Sequence, residues 1–181
     1  MSQDKKIILD TSLQAFFYDH LQEFNSKSTA PLRKEAIFYS SVVMDQYGES
    51  EKFFEQVNNR SREKILGIKL MESSQFPKEK QKIILRDIAE TSLLVCGYFY
   101  DSLNNKLVDV RYYEDIGKIA YSRLNSFTPE AYDIPSFFKM MAKSFSDVTL
   151  LMNLVSKKYS AESDPAMPWL IVKDRKDRKI S

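Results

Sequence analysis

The chain has 181 residues, 43% of them hydrophobic and 13% aromatic, with only four Gly and six Pro. This is enough apolar material for one domain with its own core. It excludes global disorder, and so few glycines argue against a turn-rich all-β fold. The formal net charge is +2, so no chain-wide basic footprint exists to attract nucleic acid. The balance is uneven: residues 173–181 carry five basic and two acidic side chains, net +3, which leaves −1 on residues 1–172. Cys96 is the only cysteine, so no internal disulfide can form. In its apolar setting a thiol packs as a small hydrophobe. No uncharged run reaches about 18 residues, so no membrane span is expected. The opening MSQDKKIILDTS has no apolar run of signal-peptide length. These features predict a soluble, cytoplasmic protein.

Taken in chain order, the periodicity predicts six or seven helices. Asp10 or Thr11 can cap the first, and Leu13, Phe16, Phe17, Leu21 and Phe24 recur on one face of it. The polar run from Asn25 to Ala30 ends it. Pro31 suits the first position of a second helix, striped by Leu32, Ala36, Tyr39, Val43 and Tyr47, with Phe38 and Val42 widening the stripe and Gly48 as the stop. Ser50, Phe53, Phe54 and Val57 suggest a short third helix broken at Asn58-Asn59, and Ser61 is placed as the cap of a fourth helix through Met71. Pro77 opens the longest helix, 77–101. Its first turns are charged, and its later turns are apolar all round, which predicts burial all round. After a loop from Asp101 to Lys106, Asp109 caps a helix over 110–125, with Val110, Tyr113, Gly117, Ala120 and Leu124 inward. Phe127-Thr128-Pro129 reads as a single turn. A last long helix runs from Asp133-Ile134-Pro135 to about Tyr159, carrying Phe137, Phe138, Met141, Phe145, Val148, Leu151, Met152 and Val155. The prediction is an all-α, single-domain helical bundle over residues 1–159, with a central buried helix and an extended C-terminal tail over 160–181. That tail divides into a linker, an apolar stretch 167–172 and a basic run 173–179.

Chemistry-bearing patterns are scarce. A four-helix diiron site needs Glu-x-x-His pairs, whereas His20 is the only histidine and no Glu stands three residues before it. A zinc site of Cys and His ligands is equally unsupported. His20, between Phe17 and Phe24, could be a haem axial ligand in principle, but its position reads better as the edge of an amphipathic face. No cofactor or metal is therefore expected. Cys96 lacks a basic neighbour that would activate it. No Gly-x-Ser-x-Gly elbow, P-loop or Gly-x-Gly-x-x-Gly occurs, and no catalytic residue is assigned.

Two groups remain as candidate sites. Asp87 and Glu90 share a face of the central helix that continues into Leu94 and Gly97. Glu90 is expected half-buried beside Arg111, Arg86 or a tyrosine hydroxyl. Glu90, Asp109, Arg111, Tyr112 and Tyr113 together form a candidate polar pocket, or a structural network in which Tyr98, Tyr100, Tyr112, Tyr113 and Tyr121 meet Asp101, Asp109 and Asp115. Gly97 and Gly117 read as a close crossing of the two helices that carry them. In the tail, Met167, Trp169, Leu170, Ile171 and Val172 form an apolar peptide that could dock on its own domain or on a partner. The basic run after it could add non-specific attraction to nucleic acid or to an acidic membrane, and the interleaved Asp174 and Asp177 weaken the nucleic-acid case.

The segment with Gly97, Phe99, Asp101, Ser102, Leu103, Val108, Asp109, Tyr112, Tyr113, Gly117, Ala120 and Tyr121, preceded by Asp87 to Val95, resembles a group of small, uncharacterised bacterial proteins. The resemblance covers about 35 residues and implies a bacterial origin, with no activity to carry over. A TetR-like repressor is excluded, since the first 50 residues hold Phe-rich helices and no basic recognition helix. The sequence thus predicts a non-enzymatic protein-binding or regulatory module, whose partner is a protein and could be a second copy of the chain. The alternatives are a small-ligand-binding helical domain with a pocket near the central helix and, more weakly, nucleic-acid association through the tail.

Overall fold

The computed structural model describes residues 13–46, 54–57, 60–63, 65–100, 109–127 and 136–161. The expected cap at Asp10 or Thr11, the stop at Gly48, the turn at Thr128-Pro129, the loop 101–106 and the tail beyond 161 lie outside these residues. Among the described residues there are seven α-helices and one hairpin: α1 (Leu13–Ser26), α2 (Lys34–Asp45), β1 (Phe54–Val57), β2 (Arg60–Glu63), α3 (Leu66–Glu72), α4 (Lys78–Tyr98), α5 (Val110–Leu124), α6 (Phe137–Lys143) and α7 (Phe145–Ala161). The molecule is an all-α bundle, as the periodicity predicts.

The α1–α2 link is fixed by one side chain. Asn25 is buried, donates Nδ2 to the Leu32 carbonyl at 3.0 Å, and accepts the Leu32 N–H on Oδ1 at 2.7 Å. That N–H is therefore committed to the turn, and helix α2 starts at Lys34 after an extended Arg33, not at Pro31. In α2 the stripe of Ala36, Tyr39 and Val43 is buried as expected, while Phe38 faces outward against the Tyr18 ring. The buried hydroxyls of Ser40 and Ser41 donate to carbonyls of their own helix.

The expected third helix is instead a hairpin. Strands β1 and β2 pair antiparallel from Phe54↔Glu63 to Val57↔Arg60, so Ser61 lies in a strand and caps nothing. Four-residue segments are too short for a stable helix, whereas pairing gives their backbone groups partners at once. An Asn-Asn pair lies between the strands in sequence, a residue type that tolerates left-handed turns.

Helix α4 is the axis. Its C-terminal half buries Ile88, Ala89, Thr91, Ser92, Leu93, Leu94, Cys96 and Gly97 in succession, which matches a helix apolar all round. Its most extensive pairing is with α5, followed by α7. Helix α5 starts at the Asp109 cap, whose carboxylate accepts the Arg111 N–H. It turns Val110, Ile116, Gly117, Ala120, Tyr121 and Leu124 inward. Helix α3 docks on α4 and α5 through Leu66 and Leu70, and Arg123 Nη1 donates to the Leu70 carbonyl at 2.9 Å.

The predicted last helix is two helices. Ser136 stands in the left-handed region (φ 64°) and opens α6, while Ser144 separates α6 from α7. The break lets both segments bury aromatic faces: Phe137, Phe138 and Met141 from α6, and Phe145, Val148, Leu151, Met152 and Val155 from α7. The two glycines serve this last helix. A Cβ on Gly117 would overlap the Phe145 ring and stand 3.0 Å from Ser92 Cβ; one on Gly97 would stand 2.8 Å from Met152 Cβ. The expected close crossing of α4 and α5 is present at Gly117, which faces Ser92 and also admits Phe145 of α7, whereas Gly97 faces α7 alone. At the far end of α7, Glu23 of α1 accepts from Lys27 at 2.7 Å and from Lys158 at 3.2 Å, and both lysines lie over the Phe24 ring.

Two outcomes follow. Gly117→Ala should destabilise the protein by about 1–3 kcal/mol through overpacking, despite the better helix propensity of Ala. At about 2–4 °C per kcal/mol for a chain of this size, this is a readily measured drop in Tm. An unchanged melting curve would reject the close approach. The hydrogen bond from Lys27, then that from Lys158, lowers the Glu23 pKa from 4.5 to about 2. A depressed carboxylate stabilises above its unfolded pKa and loses that contribution as pH falls through its folded one. The small stability difference between wild type and Glu23→Gln should therefore be constant above pH 4.5 and close towards pH 2 in urea titrations.

Candidate functional site

Three side chains from three helices make a polar chain that leaves the core at one point. Tyr121 of α5 is fully buried and donates its hydroxyl to the Tyr39 hydroxyl at 3.4 Å; Tyr39 of α2 donates onward to Glu90 Oε1 at 2.8 Å. The rings are held by aromatic packing. Tyr39 meets Phe137 edge-on at 5.1 Å, and Tyr121 stacks on Phe138 and tilts against Phe145, both at 6.1 Å. Burial first, then the neighbouring Tyr121 and the Glu90 carboxylate, pushes the Tyr39 pKa well above 10.0. Tyr39 is thus held as a neutral donor, and its proton fixes one oxygen of Glu90.

Glu90 is half-buried and opens on a cleft of about 210 Å³, lined by Ile83, Arg86, Asp87, Glu90, Thr91 and Leu94 of α4 and by Gln46 after α2. Asp87 lies 4.0 Å from Lys69 Nζ of α3. Arg86 reaches over the Phe138 ring, 6.0 Å from its centroid. Asp87 and Glu90 therefore share one face as expected, and a tyrosine hydroxyl is a partner of Glu90.

The other expected members lie elsewhere. Ser92 faces Gly117 and Cys96 Sγ reaches the Val110 carbonyl at 3.8 Å, so α4 and α5 run antiparallel. In that register Glu90 is level with about residue 119, and Tyr112 sits about seven residues, roughly 10 Å, further along. Asp109 and Arg111 are exposed at the α5 start, where Asp109 serves as cap. Tyr112 covers Gly67 of α3, and its ring meets Tyr113 edge-on at 5.3 Å. By this register the four residues lie towards the start of α5, away from the level of Glu90, and Tyr112 packs on α3. Tyr39 and Thr91 were missed as site residues. Tyr39 carried a signal, because a tyrosine on a buried stripe needs an acceptor and Glu90 is the lone carboxylate in the apolar half of α4.

Among the described residues no group of three or more His, Cys, Asp or Glu could hold a metal ion. His20 packs edge-on against Phe16 at 4.6 Å, with Nδ1 3.6 Å from Glu23 of its own helix. Burial pushes the Cys96 thiol far up, out of the range of a nucleophile. No helix among the described residues is long and apolar enough to cross a membrane. Met167, Trp169, Leu170, Ile171 and Val172 lie outside the described residues. Comparison with protein-family models, curated proteins and solved structures finds no match to this chain.

Tyr39→Phe removes the donor that holds Glu90 and should cost about 1–3 kcal/mol. The wild type should also lose stability faster than this variant above pH 10. A raised tyrosine pKa stabilises fully below the unfolded value of 10.0 and is lost above it, as the unfolded chain ionises first. The slopes should differ by about 1.4 kcal/mol per pH unit, read from urea midpoints between pH 9 and 11. Equal slopes would rule out the buried donor.

Proposed function

We propose that the protein is a non-enzymatic, protein-binding helical module that uses the outer side of α3. The observation that carries this reading is an apolar strip with no cover among the described residues. Ile65, Ile68 and Met71 are 43%, 50% and 76% exposed and follow one another at three-residue spacing. Ile83, 71% exposed, lies one turn before Asp87, the α4 residue approached by Lys69 of α3. Scattered exposed hydrophobics are ordinary, but several on one side mark an interaction surface. Near-neutral net charge favours a protein partner over nucleic acid. The apolar tail residues 167–172 remain a second element of the same proposal.

The test is affinity capture from a bacterial lysate with wild type, with Ile68→Glu/Met71→Glu, and with a chain lacking residues 162–181. Partners should drop at least tenfold on the double substitution, with Tm unchanged. Identical prey for all three proteins would reject both surfaces.

The cleft beside Glu90 favours a second reading, a small-ligand-binding domain. Its volume of about 210 Å³ is below the usual range for drug-sized ligands, about 300–1,000 Å³, so any occupant is small.

A further inference from the structure

The apolar strip of α3 continues onto α5. Tyr112 and Ile116 of α5 stand against Gly67 of α3, and Arg123 donates to the Leu70 carbonyl at 2.9 Å. Positions 112, 116, 119 and 123 share one helical face, so Ile119 lies on the α3 side of α5. Met71 comes one turn after Gly67 and flanks the same seam. Tyr112 and Ile119 are 42% and 43% exposed. With Ile65, Ile68 and Met71 they make one apolar surface across two helices. Its polar edge carries the exposed carboxylates of Glu72, next to Met71, and Asp115, between Tyr112 and Ile119. The cations beside it, Arg123 and Lys69, are engaged by the Leu70 carbonyl and by Asp87, and Arg111 stands at the start of α5.

Five side chains are a small surface. A stable complex of two folded chains uses about 20–30 residues a side, so a second copy is a poor match and a short apolar segment a good one. The chain carries such a segment outside the described residues. Met167, Trp169, Leu170, Ile171 and Val172 are followed by residues 173–181, net +3. The apolar residues suit the strip, and the basic ones suit its acidic edge.

The end of α7 brings this segment within reach. Helix α7 advances alongside α4, with Phe145 and Ser92 meeting at Gly117 and Met152 standing at Gly97. Its last residue, Ala161, therefore lies about 14 Å beyond the level of Gly97 and Tyr112. Helix α5 stands between α7 and α3, touching one at Gly117 and the other at Tyr112. Two helix spacings of about 8–10 Å then put the strip about 23 Å from Ala161. The chain from Ala161 to Trp169 spans up to about 26–29 Å. A segment on so short a tether has an effective concentration in the millimolar range, so a contact too weak to hold a free peptide is still made.

We propose that the α3–α5 seam is the docking site of the chain's own segment 167–172, with the basic run after it against Glu72 and Asp115. The strip is then occupied by the tail, and a partner must displace it. The inference rests on the reading of the α3 strip as a docking surface and names its resident occupant.

Trp169 is the only tryptophan, so tryptophan fluorescence of the full chain reports the tail alone. Its emission should be blue-shifted, and its quenching by acrylamide at least about threefold weaker, relative to a peptide of residues 162–181, at every protein concentration. Ile68→Glu/Met71→Glu should return both readings to those of the peptide, with the melting curve retained. Glu72→Lys/Asp115→Lys alters only exposed charges and should raise quenching by a smaller factor. Leu150→Glu/Leu154→Glu, at the exposed leucines of α7, should change neither reading. Peptide-like quenching in the wild type, or release by the α7 pair and not by the α3 pair, overturns the tail assignment. A blue shift that grows with concentration, together with a doubled mass in sedimentation, overturns it in favour of a second copy. The strip's own role is read separately, from affinity capture by a chain lacking residues 162–181, in which no tail can mask it.

Discussion

The seating of Phe145 against Gly117 is the constraint on which the rest of the structure depends. Helix α7 can lie across α4 and α5 only where their side chains are small, and Gly117, Ser92 and Gly97 supply that room. The break at Ser144 turns the chain so that Phe145 enters while Phe137 and Phe138 still face the core. Tyr121 is then wedged between the Phe138 and Phe145 rings, and its hydroxyl is left facing Tyr39. Packing at one glycine therefore sets the start of a hydrogen-bond chain that ends at Glu90 on the surface.

That chain explains how a carboxylate is held in the apolar half of α4. Burying a charge without partners is costly, and a half-buried one is tolerated when it is hydrogen-bonded. Tyr39 provides the bond because its own proton is kept by burial. Elsewhere Ser40, Ser41 and Ser73 satisfy their hydroxyls locally on carbonyls of their own segments, and Asn153 of α7 donates across to the Gly97 carbonyl of α4. Ser92 Oγ is an exception, buried without a partner where α4, α5 and α7 converge. A small residue is what that crossing demands, and its orphan hydroxyl works against the stability gained from close packing.

The fold was legible wherever period alone decides. Helices α1, α4 and α5 and the inward residues of α6 and α7 follow from apolar spacing, and the Asp109 cap follows from side-chain chemistry. Misreadings fall where a contact between segments overrides the apolar pattern within one. Asn25 claims the Leu32 N–H and delays α2 past Pro31; pairing converts 54–57 and 60–63 into strands; Gly117 accepts Phe145 and so divides the last helix. The site was half legible. Asp87 and Glu90 share a face because the helix is regular, but the partner of Glu90 is Tyr39, 51 positions away in sequence. The Tyr112–Tyr113 pair looked like a site through crowding in sequence, whereas helix register carries it about 10 Å from Glu90.

The α3 strip and the α4 cleft are joined by one side chain. Lys69 leaves α3 and approaches Asp87 at 4.0 Å, with both groups part-exposed, which is a weak, screened pair. Such a pair adds little to the seating of α3, which Leu66, Leu70 and the Arg123–Leu70 hydrogen bond hold on α4 and α5. It does place the seven-residue helix, whose outer side is Ile65, Ile68 and Met71, beside the Asp87 end of the cleft.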